Sequence, residues 1–120
     1  MSRFWAKALS ELEAQDACVV VEVIKAEGST PREAGAQMLV SARGFHGTIG
    51  GGTLEWQAMA EAQAMLGKPA SKKTIRKILG PDMGQCCGGS IELLIETFDE
   101  NSRSSLQAKS DTYVEEISHI

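Results

Sequence analysis

The segment that most restricts the fold is Cys18-Val19-Val20-Val21-Glu22-Val23-Ile24, a nearly unbroken apolar run holding three consecutive valines. β-Branched side chains are stiff at χ1 and pack well on a pleated surface, so the run reads as a strand. It lacks the polar alternation of a half-wet strand, which places it at the centre of a sheet. Within it Cys18 reads as a small buried hydrophobe.

The rest of the chain can be arranged around that strand. Ser2 caps a helix to about Gln15, with Phe4, Trp5, Ala8, Leu9 and Leu12 on one face. Gln37 to Ala42 and Phe45 to Ile49 read as strands joined by a hairpin-like turn at Ser41-Ala42-Arg43-Gly44. A helix from about Thr53 to Leu66 carries a stripe of Leu54, Trp56, Met59, Ala60, Gln63 and Leu66, and Gly67 and Pro69 end it. Lys73 to Leu79 is a fourth strand with one wet face. Ile91 to Phe98 is the clearest strand, with Ile91, Leu93 and Ile95 alternating with Glu92, Leu94 and Glu96. The expected fold is a single α+β domain. It has a mixed sheet of about five strands, two main helices and glycine-rich loops at one end. That domain spans residues 1–100. Residues 101–120 read as a tail or linker remnant, in which Thr112 and Glu115 can cap a short helix carrying Val114 and Ile117.

Bulk properties exclude several roles. The 120 residues suit one domain, and a net charge of −4 gives no general attraction for nucleic acid. Lys72, Lys73, Arg76 and Lys77 form the one basic cluster, read as a solvated strand face rather than a docking patch. No apolar stretch approaches the roughly 20 residues of a membrane helix, and Glu11 and Glu13 interrupt any signal-peptide core. The three cysteines include an adjacent pair, which can close on itself only in a strained ring. A reducing, cytoplasmic compartment therefore fits better than a disulfide framework.

Two glycine-rich segments carry the candidate chemistry. In Gly47-Thr48-Ile49-Gly50-Gly51-Gly52-Thr53-Leu54-Glu55 a strand enters, three glycines follow and a helix leaves. Such a helix start offers unpaired N–H groups to an anion, although a tight strand-to-helix connection explains the glycines equally well. Glu55 reads as an ordinary first-turn carboxylate, with a base at a pocket edge as the alternative. The second segment is Gly84-Gln85-Cys86-Cys87-Gly88-Gly89. Adjacent side chains on an extended backbone point to opposite sides, so one sulfur faces a pocket while the other packs elsewhere. A thiolate suits a soft metal or sulfur chemistry, Gln85 adds donors and an acceptor, and the glycines make room for a flat ligand. His46 and His119 read as surface residues, and neither a catalytic triad nor zinc spacing is present.

Gly28-Ser29-Thr30-Pro31-Arg32-Glu33-Ala34-Gly35-Ala36, then Gly47 to Glu55, then Leu79-Gly80-Pro81 and Gly84 to Gly89, resemble in this order the XdhC/CoxI family. That family comprises maturation chaperones for xanthine dehydrogenase and related molybdenum hydroxylases. The resemblance spans about Cys18 to Phe98 and corresponds to the family's N-terminal domain, which usually continues into a Rossmann-like domain. It implies a non-enzymatic chaperone that binds molybdenum cofactor, a pterin bearing a dithiolene and a phosphate. It implies support for sulfuration of the cofactor and its handover to an apo-enzyme of the xanthine dehydrogenase type, with a cysteine desulfurase as sulfur source. Carried onto this chain, Gln85, Cys86, Cys87 and Gly88 would lie at the molybdenum end, with Cys86 and Cys87 as the metal-side thiols. Gly50, Gly51 and Gly52 would lie at the pterin or phosphate end, and Arg32 would clamp an anion. A homodimer could supply a second wall to the cleft. The alternative is a thiol-redox or sulfur-relay protein using Cys86 or Cys87 as nucleophile.

Overall fold

A computed structural model describes residues 2–28, 33–50, 52–78 and 89–109, without the side chains of residues 2 and 3. Arg32, Gly51, Gln85, Cys86, Cys87 and Gly88 lie outside the described residues, as do the capped segment 112–117 and His119.

The elements follow as α1 (Ser2–Gln15), β1 (Ala17–Glu27), β2 (Gln37–Ser41), β3 (Gly44–Gly47), α2 (Gly52–Leu66), β4 (Lys72–Ile78) and β5 (Ser90–Asp99). A 3-10 turn at Glu100–Ser102, capped by the Asp99 side chain, leads into a third helix, α3, across 103–109. The sheet order is β3-β2-β1-β5-β4, so the valine run is central as its composition predicts. All four pairings are antiparallel, not mixed. The reason is the path of the chain. The β3–α2–β4 crossover carries it from one edge of the sheet to the other. Those two strands therefore run the same way but never meet.

Each face of β1 has its own cover. Val19, Val21 and Val23 join Met38, Val40, Ile91, Leu93 and Ile95 beneath α2. Cys18 and Val20 join Leu39 and Phe98 beneath Ala8 and Leu12 of α1 and Leu106 of α3. Leu106 is fully buried, so α3 packs on the domain. The second cover sits over the Cys18–Val20 end of its face. Beyond it the same face carries polar pairs, Glu22 opposite Gln37, Arg76 opposite Glu92 and Lys72 opposite Glu96, together with Leu94 and the exposed Ile78.

The seat of α2 differs from the expected stripe. Its buried residues are Leu54, Ala58, Ala62 and Met65, while Trp56, Ala60 and Gln63 face outward. The small alanines let the helix lie close on a sheet face already filled by valine, leucine and isoleucine. The larger Trp56 is left at 72% exposure.

Candidate functional site

β1, β3 and β4 end at the same edge of the sheet at which β2 and β5 begin. Three connections therefore leave from one end: residues 28–36 between β1 and β2, 48–51 between β3 and α2, and 79–89 between β4 and β5. These are the three glycine-rich segments singled out in the sequence. Strands lie about 4.8 Å apart, so β3 runs roughly 10 Å to the side of β1, but its exit is staggered: Gly47 stands level with Val21 and Ile95, and at about 3.3 Å per residue that is roughly 17 Å along the sheet from Glu27 and Ser90. The first and third connections are nearer still. Glu27 and Ile78 both pair with Ser90, and Glu27, Gly28, Arg76, Ile78, Gly89 and Ser90 line one cavity of about 310 Å³.

The backbone is shaped for this crowding. Between Val23 and Lys25 the β1–β5 register slips by a residue. The Val23 N–H donates to the Ala36 carbonyl at 2.9 Å, and the Gly35 N–H donates to the Val23 carbonyl at 2.7 Å. These bonds fold the end of the first connection back onto the central strand. Gly28 and Gly35, at φ 71° and 98°, occupy conformations that side chains resist.

At the second connection Gly47, Gly50 and Gly52 all have positive φ. A network from the first turn of α2 fixes them. The Thr48 hydroxyl donates to the Glu55 carboxylate, and the Ile49 N–H donates to the same oxygen at 3.3 Å. The Gly50 N–H donates to the Thr48 hydroxyl at 3.1 Å. Glu55 is thus an anchor of the turn, and the helix start already holds a carboxylate of the chain's own. Beside it Phe45, Gly52, Glu55, Trp56 and Met59 line a cavity of about 130 Å³.

Other candidates fall elsewhere. Cys18 is fully buried, its thiol donates to the Ala8 carbonyl at 3.6 Å, and burial pushes its pKa up to about 12. Such a thiol is neither nucleophile nor ligand near neutrality. The basic cluster is split by strand alternation, with Lys72 and Arg76 on one face and Lys73 and Lys77 on the other, where Lys73 pairs with Glu61. His46 is exposed on β3 and pairs with Leu39. Among the described residues, no three or more His, Cys, Asp or Glu side chains are grouped to hold a metal ion. None of the described helices is long and apolar enough to cross a membrane.

Sequence reasoning missed a cluster at the opposite end of the sheet. Glu11 of α1 is buried, accepting from the Ser41 hydroxyl at 2.6 Å and from the Arg43 guanidinium, with Lys7 at 4.0 Å. The hydrogen bonds from Arg43 and Ser41 hold its carboxyl below the ordinary range. The cluster ties α1 to the β2–β3 hairpin. The one signal for it was an acid abutting the apolar stripe of α1.

The sequence pattern of the XdhC and CoxI family matches residues 11–76, which takes in the first two glycine segments and stops short of the cysteines at 86 and 87. A crystal structure described as that of a xanthine dehydrogenase from Bacillus halodurans is similar at a TM-score of 0.74 and 27% identity. The likeness covers 90% of this chain and 34% of that one, so the chain spans about a third of that protein's length. No curated protein matches the chain.

Proposed function

The chain belongs to the XdhC and CoxI family, and from that premise we propose that it is an accessory module that holds molybdenum cofactor for enzymes of the xanthine dehydrogenase type, with no turnover of its own. The observation that carries the proposal is the convergence of all three glycine-rich connections on one end of the sheet. The strand ends that carry them are staggered, so a ligand touching all three spans roughly 20 Å. The likeness to the Bacillus halodurans protein supports the same enzymatic context.

The described residues fit a flat, elongated ligand. Gly28, Gly50 and Gly52 present backbone without side chains, and Gly89 and Ser90 open the cavity shared with Arg76. In this proposal Gln85, Cys86, Cys87 and Gly88 hold the molybdenum end, where soft thiolates match the metal. Arg32 pairs with an anionic group, and the Gly50–Gly52 turn receives the other end. When bound, the cofactor supplies the redox-active metal that the recipient enzyme needs. The chain's own part is to hold it, keep it from water and present it for sulfuration and insertion. A cysteine desulfurase and the apo-enzyme are the proposed partners, and a homodimer is the proposed assembly.

The test is anaerobic mixing with molybdenum cofactor followed by gel filtration, with molybdenum and pterin measured in the protein peak. Both co-elute in equal amounts with the wild-type protein, and the Cys86→Ala/Cys87→Ala variant loses them. Equal retention by the variant removes the cysteines from the site.

A further inference from the structure

We propose that the free edge of β4 is a docking site for residues 111–117 of a second copy of this chain, added to the sheet as a further strand. This deepens the homodimer of the reading above by naming its contact, and it rests on that reading for the assembly alone, not for the cofactor.

β4 closes one side of the sheet, so only one of its flanks is paired. The Thr97 N–H donates to the Ser71 carbonyl at 2.8 Å, which marks a hydrogen-bonded position of the antiparallel β4–β5 ladder. Such positions alternate, so Lys73, Ile75 and Lys77 turn their N–H and C=O groups toward β5. Lys72, Thr74, Arg76 and Ile78 turn theirs away from it. Among the described residues, no other backbone segment bonds to this outer flank. An open row of this kind is a template for another strand.

Charge selects the strand. β4 carries Lys72, Lys73, Arg76 and Lys77. A second β4 laid antiparallel along it sets basic residues against each other, and like charges directly opposite destabilise a sheet. The segment Asp111-Thr112-Tyr113-Val114-Glu115-Glu116-Ile117, outside the described residues, has the same length and the opposite charges, and Thr112, Tyr113 and Val114 favour strands. Laid antiparallel with Asp111 opposite Lys77, it sets Tyr113 opposite Ile75, Glu115 opposite Lys73 and Glu116 opposite Lys72. Lys73 already bonds to Glu61, so the charge match rests on Lys72 and Lys77. A parallel alignment from Lys72 matches as many charges. The groove between α2 and β4 favours the antiparallel one. Gln57, Ala60, Glu61, Ala64 and Lys77 line its roughly 380 Å³, and the Gln57 side-chain oxygen is buried without a hydrogen-bond partner among the described residues. Only the antiparallel alignment puts Tyr113 on that side of the sheet, with a hydroxyl that can donate to this oxygen.

The end of α3 points to a second copy. The Lys109 ammonium lies 5.3 Å from the Trp5 ring of α1, and α1 rests on β1 and β2. A strand beyond β4 lies three strand spacings, roughly 14 Å, from β1. Only Ser110 separates Lys109 from Asp111, and two residues extend over at most about 7 Å. The chain's own segment therefore falls short of this register.

The test is amide hydrogen exchange, followed residue by residue by NMR on the full chain, with the mass read by light scattering. In the dimer the amides of Lys72, Thr74 and Arg76 should exchange about tenfold or more slowly than in the monomer obtained by dilution. Those of Lys73, Ile75 and Lys77, bonded to β5, should be slow in both. Val114→Pro removes the N–H placed opposite Thr74. It should give a monomer with fast Lys72, Thr74 and Arg76 amides and leave the other three unchanged. Glu116→Lys should weaken the dimer, and Lys72→Glu in the same chain should restore it. The proposal is overturned by fast exchange of the three outer amides in a dimer, by their protection in a species of monomer mass, by a Val114→Pro protein that stays dimeric, by absence of the charge-swap rescue, or by helical Cα shifts across 112–117 in the dimer. Cofactor retention is read separately. A wild type that shows these protections but retains no cofactor loses the proposed function and keeps the contact. One that retains cofactor while its outer amides stay fast keeps the function and loses the contact.

Discussion

Single positions carry different weights that composition does not distinguish. A Cβ on Gly47, at φ 85°, would sit 2.6 Å from the Gln37 carbonyl oxygen, whereas one on Gly35 or Gly44 meets nothing within 4 Å. Gly47→Ala should therefore cost roughly 1–3 kcal/mol in backbone strain plus the clash, and Gly44→Ala should cost less. Urea denaturation of the two variants checks the order, and equal midpoints would contradict it. Glu11 offers a second residue-scale test. Its folded-state pKa is lowered, so its contribution is present above the ordinary value of 4.5 and is lost as pH falls through the folded value. Wild type should lose stability between pH 5 and 3 more steeply than Glu11→Gln, and parallel profiles would show that the Arg43 and Ser41 bonds contribute nothing. The sequence marked Gly47 as part of a motif but held no trace of its contact with Gln37, because that contact depends on the β2–β3 register. The Glu11 cluster was hidden for the same reason: its partners are some 30 residues away.

At the scale of elements, the strands and helices were largely legible. Helix α1 and the alternating β5 fall at or within a residue or two of their expected bounds, since periodicity and β-branching act locally. The buried face of α2 was not legible. Its most hydrophobic residue by size, Trp56, faces outward, and Ala58 and Ala62 face the core. Burial there is set by how closely the helix can approach the sheet, a tertiary property. Ala58→Leu should destabilise by roughly 1–3 kcal/mol through overpacking. Ala60→Leu, on the outer side, should stay within about 0.5 kcal/mol. Thermal melts of both variants decide it, and the reverse order would restore the stripe read from the sequence.

For the whole molecule, the topology does what no single motif can. An antiparallel order with one edge-to-edge crossover sends all three glycine connections to the same end, and the Glu11 cluster and the β2–β3 turn to the other. The sequence held the three segments and their order, but their convergence depends on strand order, which a chain read residue by residue does not contain. Arg32 and the residues from Gln85 to Gly88 were legible as motifs, and they remain proposals as site residues. The most direct test is alkylation footprinting by mass spectrometry, with and without anaerobic molybdenum cofactor. The account predicts that Cys86 or Cys87 is labelled in the free protein and protected by cofactor, while Cys18, with its pKa near 12, stays unlabelled in both. Cofactor that is retained while Cys86 and Cys87 label at unchanged rates would contradict a site at this end of the sheet.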